Sequence, residues 1–451
     1  MRTFGLVSTV LSRIQVKRSS SSGRKKVANP TAKIDKAKEV EEEERAKLAE
    51  LKEVLGDALP PQIQILHRSY TDDILLSILR ARSLNVKDAA RLYVTDKNMR
   101  RFLRLDEFLS DLNLPQIKLN LKYSVSGTIG FDKEGTLVRV INVGYSDAKG
   151  FITCLPTMDH FKLYIWFIER DIALQRAQNL KSGLKSERIT YILNMEHLSL
   201  TKLMDKSTIE AGLLALKLLQ DHYQDIEKVV YIVNAPSYFN SSIIKLFKPV
   251  IKENLNQRLK VLDKDDILEY IDADVLPTYL GGNRVDSNGD PDCKELIGFG
   301  GTIDDEYYPT NFLSPEDPGV ECVTVPAGSA VCLRYKVTEV GSTLNWHIQT
   351  KENDLGIAVF LDKNEEDPEA NDGSHKKKKD VDVSKLEPLT PYIRSQCQLI
   401  PETGVTTAWF TGTVVLQLDN SYSWMSAKEA IVRVTVDPPV KKSNNKNEKK
   451  K

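Results

Sequence analysis

Histidines at ligand spacing, paired cysteines or a serine on a tight turn would be the places where this chain could do chemistry. Its six histidines, His67, His160, His197, His222, His347 and His375, stand far apart, and none has a partner at metal-ligand spacing. The five cysteines, Cys154, Cys293, Cys322, Cys332 and Cys397, form an odd, scattered set without a CxxC. Such a set indicates neither zinc nor a disulfide framework and suits a reducing compartment. No GxxxxGK[ST], HExxH or GxSxG occurs. The glycines of IGFGGTIDDE have the wrong spacing for a dinucleotide loop. Asp304, Asp305 and Glu306 follow where a pyrophosphate needs positive potential, so the stretch reads as a tight turn. Asp225 and Glu227 lack a third group and read as a solvated face, and His222, beside Asp221, as a surface residue at a helix end. No catalytic residue, metal ligand or cofactor is assigned, and the chain does not read as an enzyme.

The elements around these residues imply a multidomain chain of 451 residues. Leu48, Leu51, Leu55 and Leu59 among Glu and Lys predict an amphipathic helix, and shorter helical patterns follow to about Leu109, which makes an all-α N-terminal unit over 39–114. After Pro115, strands and helices alternate: TLVRVINVG, HFKLYIWFIERDIALQRAQNL, RITYILNME, TIEAGLLALKLLQDHY, KVVYIVNA and RLKVL. Right-handed crossovers between such strands predict an α/β domain with a largely parallel sheet over 115–285. A turn-rich linker over 286–317 leads to short alternating strands over 318–437, an all-β antiparallel sandwich. Residues 438–451 read as a disordered Lys-rich tail, and 1–38 as a disordered basic leader. With Arg2, Arg13, Arg18 and Arg24 before the first acid, Asp35, and Phe4, Val7, Leu11 and Ile14 at helical spacing, that leader also has the form of a mitochondrial transit segment.

Lys plus Arg and Asp plus Glu each number 63, so no global field steers the chain toward nucleic acid or an anionic surface. YIWFI and VVYIV are its longest apolar runs, too short to span a bilayer. Against that background one stretch stands out, YIVNAPSYFNSSIIKLFKPVI, Tyr231 to Ile251. Ile243, Ile244, Leu246, Phe247, Val250 and Ile251 cover an arc of roughly 160°, wider than the stripe of about 100° that seats a helix on a core. A fully buried helix and a lid over an apolar cavity both satisfy that pattern.

DDILLSILRARSLNVKDA, FDKEGTLVRVINVGYSDAKGF, RITYILNMEHLSL, YIVNAPSYFNSSIIKLFKPVI and VLPTYLGGNRVDSNGDPDCK together resemble successive blocks of the CRAL-TRIO lipid-binding proteins. LQLDNSYSWMSAKEAIVRVTV resembles the end of a GOLD domain, and the order of domains resembles that of the supernatant-protein-factor and tocopherol-associated-protein branch. The resemblance implies an α/β bowl that holds one lipid or other hydrophobic molecule and hands it between membranes, with Ser237 to Ile251 as its gate helix. It implies lining by Ile141, Val143, Tyr164, Phe167, Leu213, Ile232, Ile243, Phe247 and Ile251, with Arg82 and Lys245 as headgroup contacts. Strand parity alone does not say which face is the bowl, so each lining position is equally a core position. Family members that bind phosphatidylinositol carry Arg-Lys where this chain has Arg82-Ser83, and a Glu where it has Leu214, which favours a less polar ligand.

The expected partners are a hydrophobic small molecule, a transient membrane surface and a protein reached through the GOLD-like domain. The expected location is cytoplasmic and peripheral to membranes, with the mitochondrial leader as the alternative. An adaptor that senses lipid and recruits proteins without net transfer is the second functional reading. Lys376 to Lys379 could touch anionic lipid, but Glu365, Glu366, Asp367, Glu369, Asp380 and Asp382 offset them, and Trp346, Trp409 and Trp424 read as core.

Overall fold

The computed structural model describes residues 30–56, 72–184, 186–223, 225–237, 251, 253–363 and 381–439. They fall into two compact units. The first comprises the described residues up to Asp96 together with 106–155 and 159–308, and the second comprises 97–105, 156–158 and 309 onward.

The described chain opens with helices α1 (Pro30–Leu55), α2 (Asp72–Ala81), α3 (Val86–Phe102), α4 (Leu105–Ser110) and α5 (Pro115–Tyr123), with the last turns of α3 belonging to the second unit. The leucine spacing read from the sequence works as expected: Leu51 and Leu55 pack against Leu75, Ile78 and Leu79 of α2 and against Val86, Ala89 and Tyr93 of α3. Leu59 lies outside the described residues. The turn after α2 is tight, with Ser83 and Leu84 both at positive φ (51° and 61°).

A five-stranded sheet follows in the order β1-β2-β3-β4-β5. Its strands are β1 (Ser126–Phe131), β2 (Leu137–Asn142), β3 (Ile189–Asn194), β4 (Glu227–Val233) and β5 (Leu259–Val261). β2 to β5 run parallel, and β1 is an antiparallel edge strand on β2. Sequence reasoning missed β1 because SGTIGF carries two glycines and little β-branched content. The connections hold α6 (Ala148–Cys154), α7 (Thr157–Ser182), α8 (Leu200–Met204), α9 (Lys206–His222) and α10 (Glu253–Asn256). The short α6 and α8 are stabilised at their starts, where Asp147 accepts from the Gly150 N–H and Ser199 from the Lys202 N–H.

Part of the stretch expected as a linker, 286–317, is packed into this unit: Cys293 and Ile297 are 0 % exposed and Ile303 is 2 % exposed. Gly127 of β1 lies so close to this segment that a Cβ there would stand 1.9 Å from the Leu296 carbonyl oxygen, which accounts for the glycine.

The second unit is an antiparallel sandwich. One sheet runs β10-β9-β13-β7 with β11 on β9, and the other runs β12-β8-β14-β6. The strands are β6 (Glu321–Val325), β7 (Ala330–Val337), β8 (Thr343–Thr350), β9 (Leu355–Asp362), β10 (Glu387–Pro388), β11 (Ile393–Ser395), β12 (Glu402–Thr407), β13 (Gly412–Asp419) and β14 (Lys428–Asp437). Phe102 stacks on Trp346 at 5.3 Å between ring centroids, and the Met158 N–H donates to Glu402 at 3.1 Å. Around them remains a cavity of about 40 Å³, lined among others by Tyr335, Leu416 and Val434. That is room for little more than one water. Trp409 is half-buried beneath the Arg101 guanidinium, 4.5 Å from its ring. Trp424 departs from expectation: it is 74 % exposed, because it sits at the tip of the β13–β14 connection instead of on a strand. Lys376 to Lys379 lie outside the described residues.

Two polar expectations are corrected. His222 is not a surface residue: it is 4 % exposed, and its Nδ1 lies 2.9 Å from Asp96 Oδ1, with the Phe161 ring edge-on at 5.6 Å. Asp225 and Glu227 are joined by Arg258, which donates to Asp225 Oδ1 at 2.6 Å and to the Glu227 carbonyl at 2.8 Å. This ties the start of β4 to the residue before β5, so the two are not the solvated face expected of them. Glu227 is 5 % exposed. Burial pushes its carboxyl up to about 7 from an ordinary 4.5, with a backbone hydrogen bond and Arg258 only partly offsetting the cost.

A folded-state value raised in this way leaves stability intact below the unfolded pKa, and stability is lost as pH rises through the folded one. Glu227→Gln is therefore expected to match the parent near pH 4 and to exceed it by about 2–3 kcal/mol at pH 8. Urea unfolding at the two pH values checks this, and a variant no more stable than the parent at pH 8 contradicts it.

Candidate functional site

The strand period of two gives the α/β sheet two faces of different character. On one, Val138, Val140, Ile192, Tyr231 and Val233 pack against Ile267, Ile271, Leu276, Leu280 and Ile297. Val138, Val140 and Ile192 on this face are 0 % exposed. The face is closed by the chain that follows β5.

The alternate residues form the other face. Register places Ile141 beside Leu193, Leu193 beside Ile232, and Ile232 beside Val261. Ile141, Val143 and Leu193 are only half-buried, and Val261 is 48 % exposed. Val143, Leu193 and Ala235 pack against a small cluster of Met195, Leu198, Leu203 and Ile232. An apolar row thus stands with unfilled surface near the carboxyl ends of parallel strands, where α/β sheets bind their ligands.

One row deeper, Arg139, Tyr191, Val230 and Leu259 are aligned. Arg139 is held by Asp171 of α7 through two side-chain hydrogen bonds, Nε to Oδ2 and Nη2 to Oδ1, and its Nη1 donates to Ser126 Oγ at 3.1 Å. Phe167 covers the guanidinium at 4.8 Å. Both members of the pair are buried, so the charge is compensated inside the protein and not offered outward. Tyr191 beside it is 7 % exposed, and its hydroxyl has no hydrogen-bond partner. Burial raises that phenol well above its ordinary range, and the field of Asp171 and Glu227 adds to the shift, so the group stays a neutral donor. Few native buried polar atoms are left in this state without a reason.

Of the residues expected to line a bowl, Ile141, Val143 and Ile232 come together with Leu193 on the half-buried face. Tyr164 and Phe167 are half-buried on α7, and burial pushes the Tyr164 phenol up to about 12. Leu213 is half-buried on α9, as is Ile251, the last residue of the expected gate segment. Ile243, Lys245 and Phe247 lie outside the described residues. Arg82, expected at a headgroup, has its Nη2 3.7 Å from Asp221. Sequence reasoning missed Leu193 and Tyr191. Leu193 shares the face of Ile141, but only the β2–β3 register reveals it, and no spacing rule marks a tyrosine whose hydroxyl goes unpaired.

Residues 121–282 match the family profile described as the CRAL/TRIO domain. Protein ctg-1 of Caenorhabditis elegans is 26% identical over 390 residues, covering 84% of this chain and 94% of that protein. Protein real-time of Aedes aegypti is 24% identical over 305 residues, covering 63% of this chain and 45% of that protein. Among solved structures, the crystal structure of Sfh5 aligns with 59% of this chain and 94% of its own at 17% identity, with a TM-score of 0.41. Residues 121–282 are a CRAL/TRIO domain, and the chain extends beyond it on both sides.

Proposed function

We propose that this chain binds one hydrophobic, lipid-like molecule on the half-buried face of its α/β sheet and carries it between membranes without covalent chemistry. A CRAL/TRIO domain implies a lipophilic ligand. The observation that carries the reading is the contrast between two faces of one sheet, with Ile192 0 % exposed on one side and its neighbour Leu193 half-buried on the other. A 16-carbon chain passing from bilayer to water loses on the order of 12 kcal/mol, at about 0.8 kcal/mol per CH₂. An apolar pocket recovers most of that loss, so the carrier needs only the pocket and a cover that opens. We assign the cover to Ser237–Ile251, whose apolar arc exceeds what a core requires.

The unpaired Tyr191 hydroxyl supports a ligand with one uncharged acceptor, such as an alcohol or carbonyl oxygen. Arg82 beside Asp221, followed by Ser83, argues against a phosphoinositide. A tocopherol, a sterol precursor or a fatty-acyl lipid fits these demands. For the antiparallel sandwich we propose a GOLD-like role in attaching the chain to a protein partner or membrane. A lipid-sensing adaptor without net transfer is the alternative reading.

Transfer of fluorescent lipid from donor to acceptor vesicles is expected to run faster with the protein than without it, whereas a rate equal to the spontaneous one selects the adaptor. Phe247→Asp is expected to abolish ligand retention while unfolding stays cooperative; undiminished retention removes Ser237–Ile251 as the cover. Tyr191→Phe is expected to keep stability within about 1 kcal/mol, since no made hydrogen bond is lost. It is also expected to weaken ligands bearing a hydroxyl or carbonyl while leaving pure hydrocarbons unaffected, and equal losses for both in competition binding would exclude the assigned donor role.

A further inference from the structure

The connection from β13 to β14 lifts two large apolar side chains into solvent, Trp424 at 74 % and Met425 at 90 % exposure. Its base is rigid. Asn420 is 0 % exposed, and its Nδ2 donates to the carbonyls of Val325 (3.1 Å), Pro326 (3.3 Å) and Ser426 (3.0 Å). The Tyr422 hydroxyl donates to the Asp354 carbonyl at 3.2 Å and accepts from Lys428 Nζ at 2.9 Å, while the Arg394 guanidinium lies 4.0 Å from the Tyr422 ring. Hydrogen bonds and a cation–π contact therefore fix the base of a loop whose tip stands exposed.

We propose that Trp424 and Met425 form a membrane wedge that inserts into the headgroup–acyl boundary of a bilayer. The choice of occupant rests on the lipid-carrier reading, because such a carrier must meet a bilayer. Three features of the tip favour a bilayer over a protein. A two-residue projection offers far less than the roughly 800 Å² per partner of a specific protein interface. Tryptophan's apolar ring with one polar N–H suits the interfacial zone, and methionine adapts to disordered chains. Asn420 to Ala427 contains no charged residue in a chain that is 28% charged, so insertion drags no ion out of water. The base is balanced as well: Arg394, Lys428 and Lys351 stand against Asp354, Glu429 and Asp419, the last accepting from the Tyr392 hydroxyl at 2.8 Å and the Ser421 N–H at 3.0 Å. The wedge thus binds by apolar insertion, without attraction to anionic lipid.

Flotation of the full chain with phosphatidylcholine vesicles tests this. Trp424→Ser/Met425→Ser is expected to bind about tenfold or more weakly than the parent, with binding by the parent unchanged as salt is raised. Thermal unfolding should coincide for parent and variant, since both side chains are exposed; if the double variant is unstable, Met425→Asp alone is expected to show the same loss. The parent's tryptophan emission should shift to the blue on adding vesicles, and that of Trp424→Phe should not. Equal binding by parent and variant overturns the wedge, as does binding confined to anionic vesicles and abolished by salt. Loss of a protein partner with vesicle binding intact overturns it too. Ligand retention measured on the same samples separates the two claims: retained ligand with no tip effect sinks the wedge alone, and a parent that holds no ligand sinks the carrier reading.

Discussion

One sheet in this protein has to be sealed on one side so that it can stay incomplete on the other. Apolar burial contributes about 25 cal/mol per Å², and a parallel sheet with both faces short of partners would not hold. The sealed face carries that load through Val138, Val140 and Ile192, closed over by Ile267, Ile271, Leu276, Leu280 and Ile297. Side-chain amides add a second lock. Asn194 donates to Asn142 Oδ1 at 3.0 Å, and Asn234 to Asn194 Oδ1 at 2.9 Å, running across the carboxyl ends of three strands. Asn142 and Asn234 also reach the carbonyls of Gly298 and Tyr279, which ties the closing segment to the sheet. With the strands held from beneath, Ile141 and Leu193 can remain half-buried without loosening the fold.

The polar groups on the open side follow the same logic. Arg139 and Asp171 neutralise each other in the interior, which leaves the neighbouring Tyr191 hydroxyl as a donor without an acceptor. A buried ion pair adds little net stability, but it makes a floor of defined shape beneath the apolar row. The second unit solves its own packing differently, by stacking Phe102 on Trp346 inside an antiparallel sandwich whose residual cavity of about 40 Å³ leaves no space for a lipid.

Long-period signals were readable in the sequence, and pairings were not. The helix and strand alternation of 115–285, the leucine spacing of α1 and the change to an antiparallel sandwich all follow from local apolar rhythm, and all three are present. β1 escaped because its glycines hide a strand whose role is to pack closely on Leu296. His222 and Trp424 were each assigned the wrong environment for one reason: burial depends on what arrives from elsewhere in the chain. Asp96 comes to His222 from 126 residues away, whereas Trp424 is left 74 % exposed. The parity of Ile141 was visible, but which parity stays half-buried was not, because that is set by residues 267–297 closing the opposite side.

The most direct test is mass spectrometry of the intact chain under native conditions, followed by organic extraction of the same sample after purification from lipid-containing cells. The account predicts one lipophilic molecule per chain, released on unfolding and carrying an uncharged hydroxyl or carbonyl oxygen. A chain that emerges empty, and that takes up no lipophile from vesicles, would contradict it.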